Sequence, residues 1–366
     1  MNTSLLGGIT FVVVFAGIIF LHELGHFFVA RLVGIEVEEF GIGFPPRAVK
    51  LFTWKGTDFT LNWIPLGGFN KIRGEDDPSI PGGMAAANPW KRLPVLLAGV
   101  AMNLLTAILV YTILFSQIGI PDVHTAVVAA IDPGSPAETA GLKVNDLVLT
   151  AGGTTIDGYQ QLVSVTHNFL GKPMPLTVYR NGQTLQLSVT PRLVSPANQG
   201  PMGVAVGQRM QPAKNWFETL PISFTAVGSD IQNLLALPGR MIAGKISSQE
   251  AQIGGPRSIW NLFQQSVSRD VSSRQPAPGG QPQAPTNYTL LIIISLTITV
   301  GVVNLMPFPA LDGWRVFTTL VEIILRRPIP AKYQTIINSA GLLILMILLG
   351  FFYLKDLINP ISITLP

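Results

Sequence analysis

His22-Glu23-Leu24-Gly25-His26 brings two imidazoles and a carboxylate within five residues. On an α-helix, side chains four apart lie on one face, a turn apart. His22 and His26 could therefore close on one Zn²⁺, with Glu23 beside them to take a proton from water at the metal. The motif ends a run, Leu5 to Leu21, in which nearly every residue is apolar or glycine. On a soluble helix the same letters would read as two surface histidines near a glutamate. At membrane depth an ionisable group is costly unless it has a partner and a purpose, and here there are three. Two histidines leave a zinc site one protein ligand short. The chain has no cysteine and only four histidines, and the other two, His124 and His167, fall in a polar module. The missing ligand is then an oxygen. Asp312 is the best-placed candidate, because it follows an apolar segment broken by Pro307 and Pro309.

These residues need elements that can hold them in a membrane. Only 12% of the 366 residues are charged and the mean hydropathy is +0.43, which favours the membrane class. The absence of cysteine excludes disulfides and thiol catalysis. The net charge of +4 is modest, and no basic cluster has interleaved aromatics, so no nucleic-acid partner is expected. The predicted architecture is a polytopic α-helical membrane protein with about four transmembrane helices, a membrane-associated β-hairpin element and an inserted α+β domain. Its segments are a first span over 1–34, a hairpin region and loop over 35–92, and a second span over 93–118. The inserted domain covers 119–207 and an amphipathic, membrane-surface region 208–271, followed by a Pro/Gln-rich linker over 272–287. A third span over 288–313, a loop over 314–335, a fourth span over 336–356 and a tail over 357–366 complete the chain.

Within the hairpin region, turns are expected near Pro45-Pro46, Lys55-Gly56 and Gly67-Gly68. It reads equally as an ordinary hairpin or as a sheet whose edge pairs with an extended substrate. In the second span Gly99 and Asn103 are spaced G-x-x-x-N, where the glycine permits close helix approach and the asparagine needs a hydrogen-bonding partner. The inserted domain shows strands at Ala126–Ile131 and Leu147–Ala151, helices near Ala137–Ala140 and Tyr159–Phe169, and a hairpin turned at Asn181-Gly182. That order resembles a PDZ domain, with Asn145-Asp146 where such domains usually carry Gly-Asp. Eight Lys/Arg lie in the loop 31–92 and four in 313–333, whereas no basic residue precedes the first span. The positive-inside rule then puts both termini and the inserted domain outside, and the ends bearing His22, His26 and Asp312 on the cytoplasmic face.

Taken together, His22-Glu23-Leu24-Gly25-His26, Ile64-Pro65-Leu66-Gly67-Gly68-Phe69, Gly99…Asn103 and Asn304…Pro307…Leu311-Asp312-Gly313 resemble the site-2 protease family of intramembrane zinc metalloproteases. The nearest type is the bacterial regulator-of-sigma-factor protease with a single PDZ domain. The resemblance implies that His22, His26 and Asp312 are zinc ligands, that Glu23 is the catalytic base, and that Asn304 and Asn103 hold unwound substrate. It implies a multi-pass protein of the bacterial cytoplasmic membrane, surrounded by lipid. Its partners would be single-span membrane proteins, such as trimmed anti-sigma factors or signal-peptide remnants, cut inside the bilayer, with peptide C-termini read by the PDZ domain. The hairpin would present substrate as an added strand. Trp314 departs from the family pattern, which commonly has a second glycine there. The alternative from another class is a PDZ-bearing membrane scaffold without activity.

Overall fold

The computed structural model describes residues 3–196, 199–244, 255–275 and 286–358. It divides into two compact units, one of residues 1–114 and 220–366 and one of residues 115–219 inserted between them in the chain.

The first unit begins with α1 (Thr3–Leu32), a single helix carrying the metal motif in its second half. At 1.5 Å per residue it is about 45 Å long, enough to cross a hydrocarbon core of about 30 Å and leave one end near an interface. Two long strands follow, β1 (Val37–Trp54) and β2 (Thr57–Ile72), joined by a tight turn at Lys55-Gly56. Their register doubles: Phe40 lies opposite both Asn70 and Phe59, and Leu61 opposite both Ile42 and Val49. Both strands thus bend back on themselves near the expected breaks at Pro45-Pro46 and Gly67-Gly68. Phe20, Phe27, Phe40 and Phe59 form a chain of ring contacts at 5.1–5.8 Å that fastens this sheet to α1.

Helix α2 (Pro89–Ile118) packs its first turns into the same core, where Val95 and Leu96 meet Phe27, Val37, Met84 and Val316. The inserted unit follows. It comprises β3 (Ile120–Ile131), α3 (Pro136–Thr139), β4 (Leu147–Ala151), β5 (Thr154–Thr155), α4 (Tyr159–Asn168), β6 (Met174–Arg180), β7 (Gln183–Val189) and β8 (Val204–Gln211). The sheet order is β7-β6-β4-β3-β8, with β5 paired to β4. Asn181-Gly182 makes the hairpin turn as expected, and Asn145 adopts a positive φ (+72°), which an asparagine in a turn tolerates. Strand β8 lies partly in the stretch expected to begin the amphipathic region. Its pairing to β3, from Ile120↔Gln211 to Ile131↔Val204, outweighs a weak local pattern.

Asp146 ties this unit together. Its carboxylate has no exposed surface, and Arg180 binds it with Nε and a second guanidinium nitrogen, each at 2.6 Å. Burial pushes the Asp146 carboxyl up, but Arg180 and the Lys143 N–H outweigh it and hold the group below its ordinary 3.8. Such a depressed group stabilises the fold fully above the ordinary value, and that stability is lost as pH falls through the lower folded value. Asp146→Ala is expected to destabilise the unit by about 3–5 kcal/mol, because Arg180 loses its buried partner. Hydrogen exchange of the full protein should show it as lost protection in β4 and β6, and unchanged protection would refute the assignment.

Back in the first unit, α5 (Trp216–Ile242) runs continuously through Pro221 and Pro238, and α6 (Pro256–Ser273) packs on α1 through Trp260 and Phe263 against Phe11. Asp270 of α6 accepts hydrogen bonds from the Tyr288 and Thr289 N–H groups at the start of α7 (Tyr288–Asn304). The start of α6 is capped in turn by Asp356 of α9 (Ala331–Ile358), through the Arg257 and Ser258 N–H groups. One end of three apolar helices is therefore gathered by α6. Of the expected linker, residues 276–285 lie outside the described residues, and Ser272 and Ser273 end α6. Residues 359–366 of the expected tail also lie outside them.

Two departures concern the apolar segments. Among the described residues three helices are long and apolar enough to cross a membrane, α1, α2 and α9. The third expected span is shorter: α7 has 17 residues, roughly 26 Å against a core of about 30 Å, because the proline pair stops it. Residues expected as a connecting loop instead form α8 (Asp312–Leu325), an amphipathic helix that buries Val316, Thr319 and Glu322. Arg92 of α2 reaches Glu322 at 2.7 Å, an ion pair largely shielded from solvent, and Gln334 donates to the other Glu322 oxygen.

Candidate active site

The site forms where the second half of α1 crosses α2 and meets the first residue of α8. Close approach is possible only because two glycines face each other's helices. A Cβ on Gly25 would fall 2.4 Å from the Ala98 carbonyl oxygen, and one on Gly99 would fall 2.4 Å from His26 Nε2 and 2.6 Å from His22 Nε2. The expected packing role of Gly99 is thus sharper than helix approach alone: it leaves room for the two imidazoles.

His22 Nε2 lies 2.9 Å from Asp312 Oδ2, His26 Nε2 lies 3.3 Å from the same oxygen, and the two Nε2 atoms are 3.2 Å apart. Ligand atoms held about 2.0–2.2 Å from one ion at tetrahedral angles are separated by roughly 3.3 Å, so the three fit the edges of a zinc tetrahedron. Among the described residues these are the one cluster of three histidine or acidic groups with such spacing. Both histidines are buried, 5% and 7% exposed. The far nitrogen of each ring is engaged on α2. His26 Nδ1 donates to the Val95 carbonyl at 2.7 Å, and His22 Nδ1 lies 3.2 Å from Asn103 Nδ2. A carbonyl only accepts, so His26 carries its proton on Nδ1 and leaves Nε2 free for a metal.

Glu23 and Asp312 line a cavity of about 170 Å³ with His26, Gly68, Asn70 and Glu75. The bend of β2 at Gly68 rests on the Glu23 side chain, so the hairpin forms one wall. Asn304 is placed on the Asp312 side of His22, its Nδ2 3.4 Å from His22 Nε2. Asn103 sits on the opposite side of the ring with no exposed surface. The two asparagines, expected to share one task, thus occupy different surroundings.

Two participants have no sequence signal. One is the Val95 carbonyl, a backbone group. The other is Glu75, which lines both the site cavity and a neighbouring one of about 270 Å³ and is bound by Arg315 of α8. Burial pushes the Glu75 carboxyl above its ordinary value, against the pull of Arg315. The nearby Trp314, noted above as a departure, lies tilted against Phe317 with ring centroids 5.7 Å apart and leaves its indole N–H buried without a partner.

With this geometry established, the relatives are informative. The model of Peptidase family M50 matches residues 10–348. The chain belongs to peptidase family M50. This M50 peptidase is 32% identical over 354 residues to a Clostridium perfringens protein described as "Putative zinc metalloprotease", covering 95% of this chain and 97% of that one. It is 28% identical over 367 residues to "Metalloprotease MmpA" of Caulobacter vibrioides, covering 91% and 90%. A solved PDZ domain of the SdrC-like protein from Listeria monocytogenes aligns with 23% of the M50 chain and 87% of its own, at 14% identity and a TM-score of 0.21. Membership of the site-2 protease family agrees with the expectation from the motifs.

Proposed function

We propose that this chain is an intramembrane zinc metalloprotease that hydrolyses peptide bonds within the transmembrane segments of single-span membrane proteins. The observation that carries the reading is the meeting of His22, His26 and Asp312 at 2.9–3.3 Å, at the end of an otherwise apolar helix. These three residues would hold the zinc ion. When bound there, zinc supplies Lewis acidity, which polarises a carbonyl and makes a water molecule more acidic.

The remaining work belongs to the chain's own side chains. The Glu23 carboxylate takes the proton of the attacking water and passes it to the leaving amine nitrogen. Asn304, beside the metal-facing nitrogen of His22, holds the unwound backbone of the substrate. The bend of β2 against Glu23 offers a sheet edge on which that backbone can lie as an added strand. Unwinding is required because a helix hides its peptide bonds within its own hydrogen bonds. Helix-breaking residues in a substrate span therefore favour cleavage.

The substrate class includes anti-sigma factors already trimmed by another protease, and signal-peptide remnants. The protein resides in the bacterial cytoplasmic membrane, with α7 as a short fourth span and with both termini and the PDZ domain on the extracytoplasmic side. There the PDZ domain screens substrates by size or by their C-termini. Lys/Arg asymmetry between the loops supports this orientation.

Metal removal tests the reading. Chelation of purified protein should bring cleavage of a model single-span substrate to background, and stoichiometric zinc should restore it. Cleavage that persists in metal-free protein would overturn the mechanism, and zinc-loaded protein without activity would favour the scaffold.

A further inference from the structure

Helix α2 presents three features to the two histidines on successive turns: the Val95 carbonyl, the gap at Gly99 and the Asn103 amide. The Val95 carbonyl leaves His26 one arrangement only, with its proton on Nδ1. His22 differs because its Nδ1 meets an amide, which can donate through Nδ2 or accept through Oδ1. The Asn103 amide lies 3.2 Å from that nitrogen.

A metal at Nε2 requires the proton on Nδ1, and Nδ1–H in turn requires an acceptor. Asn103 Oδ1 is such an acceptor. It is buried and has no hydrogen-bond partner, and the whole residue has no exposed surface. We propose that Asn103 is a positioning residue that sets the tautomer of His22: it presents Oδ1 to Nδ1–H and so keeps the Nε2 lone pair for the metal. An amide oxygen accepts from Nδ1–H as a carboxylate would, whereas an aliphatic side chain cannot. The assignment moves Asn103 from substrate contact, where the family resemblance puts it, to the back of the metal site. It rests on His22, His26 and Asp312 being the zinc ligands.

The test uses the full-length protein in detergent. With Co²⁺ alone in place of zinc, each ligating histidine's Nδ1–H gives a paramagnetically shifted, exchangeable proton signal. Wild type should show two such signals protected from exchange, and Asn103→Leu should keep only the one held by Val95. Zinc affinity should fall about 10–100-fold in Asn103→Leu, the usual loss when a ligating histidine's outer partner is removed. Asn103→Asp should bind zinc at least as tightly as wild type. A single protected signal in wild type would overturn the proposal without recourse to any variant. So would wild-type zinc affinity in Asn103→Leu, or an Asn103→Asp protein as weak as Asn103→Leu. Zinc binding that survives His22→Ala unchanged would instead remove the ligand set, and this proposal with it.

Discussion

Glu23→Gln is expected to lower the rate of substrate cleavage by about 10²–10⁴-fold, the usual contribution of a positioned general base, while zinc content stays at the wild-type level. Glutamine matches glutamate in size, so the wall formed by the β2 bend at Gly68 is undisturbed. What it cannot do is accept a proton from water at neutral pH. Glu23 lies next to His22 in the chain and lines the cavity that also holds His26 and Asp312, so the loss should appear in turnover rather than in substrate capture. Paired zinc analysis and cleavage assays read both arms. Wild-type turnover in Glu23→Gln would hand the role to another group, and Glu75, a carboxylate on the same cavity, would be the first to examine.

Gly99→Ala is expected to cost as much as deletion of one of the proposed zinc ligands, although none of them is changed. The added methyl would fall within 2.4–2.6 Å of the Nε2 atoms of both histidines, well inside the roughly 3.5–4.0 Å at which carbon atoms make favourable contact. Either the rings rotate away or α2 withdraws from α1, and each outcome separates the donors by more than zinc tolerates. Zinc affinity should drop by more than the about 10–100-fold typical of an outer-partner loss, and cleavage should disappear with it. Helical content, measured by circular dichroism, should remain. A zinc-loaded, active Gly99→Ala protein would show that the helix pair has slack that this geometry does not suggest.

Much of the site was legible because its signals are local. His22 and His26 are four apart on an apolar helix, and Asp312 follows a proline-broken span, so spacing and cost at membrane depth both pointed to them. The other parts of the site have no local signal. The Val95 carbonyl has no side-chain identity at all. Glu75 and Arg315 pair across 240 residues, and neither letter differs from an ordinary loop charge. Asn103 was visible as a buried amide needing a partner, but not which side of His22 it would occupy. In the fold, the stretch that forms α8 reads as a loop because it is short and carries Arg315, Arg326 and Arg327 between two apolar segments. Its apolar stripe becomes meaningful only when Val316 finds the core of α1, α2 and the hairpin. Strand β8 likewise depends on β3, more than 70 residues earlier, for its hydrogen bonds.

The donor set spans the chain: His22 and Asp312 are 290 residues apart. A bound ion under the proposed ligand set is therefore a cross-link, closing nearly the whole polypeptide into one loop in a protein with no cysteine to do so. A ligand bound to the folded state alone stabilises it by mass action, by about 2.7 kcal/mol at one hundred times its dissociation constant. The metal would thus serve as a removable clasp between the first and last thirds of the chain. Zinc supply would then set how long the enzyme lasts in the membrane as well as how fast it cuts.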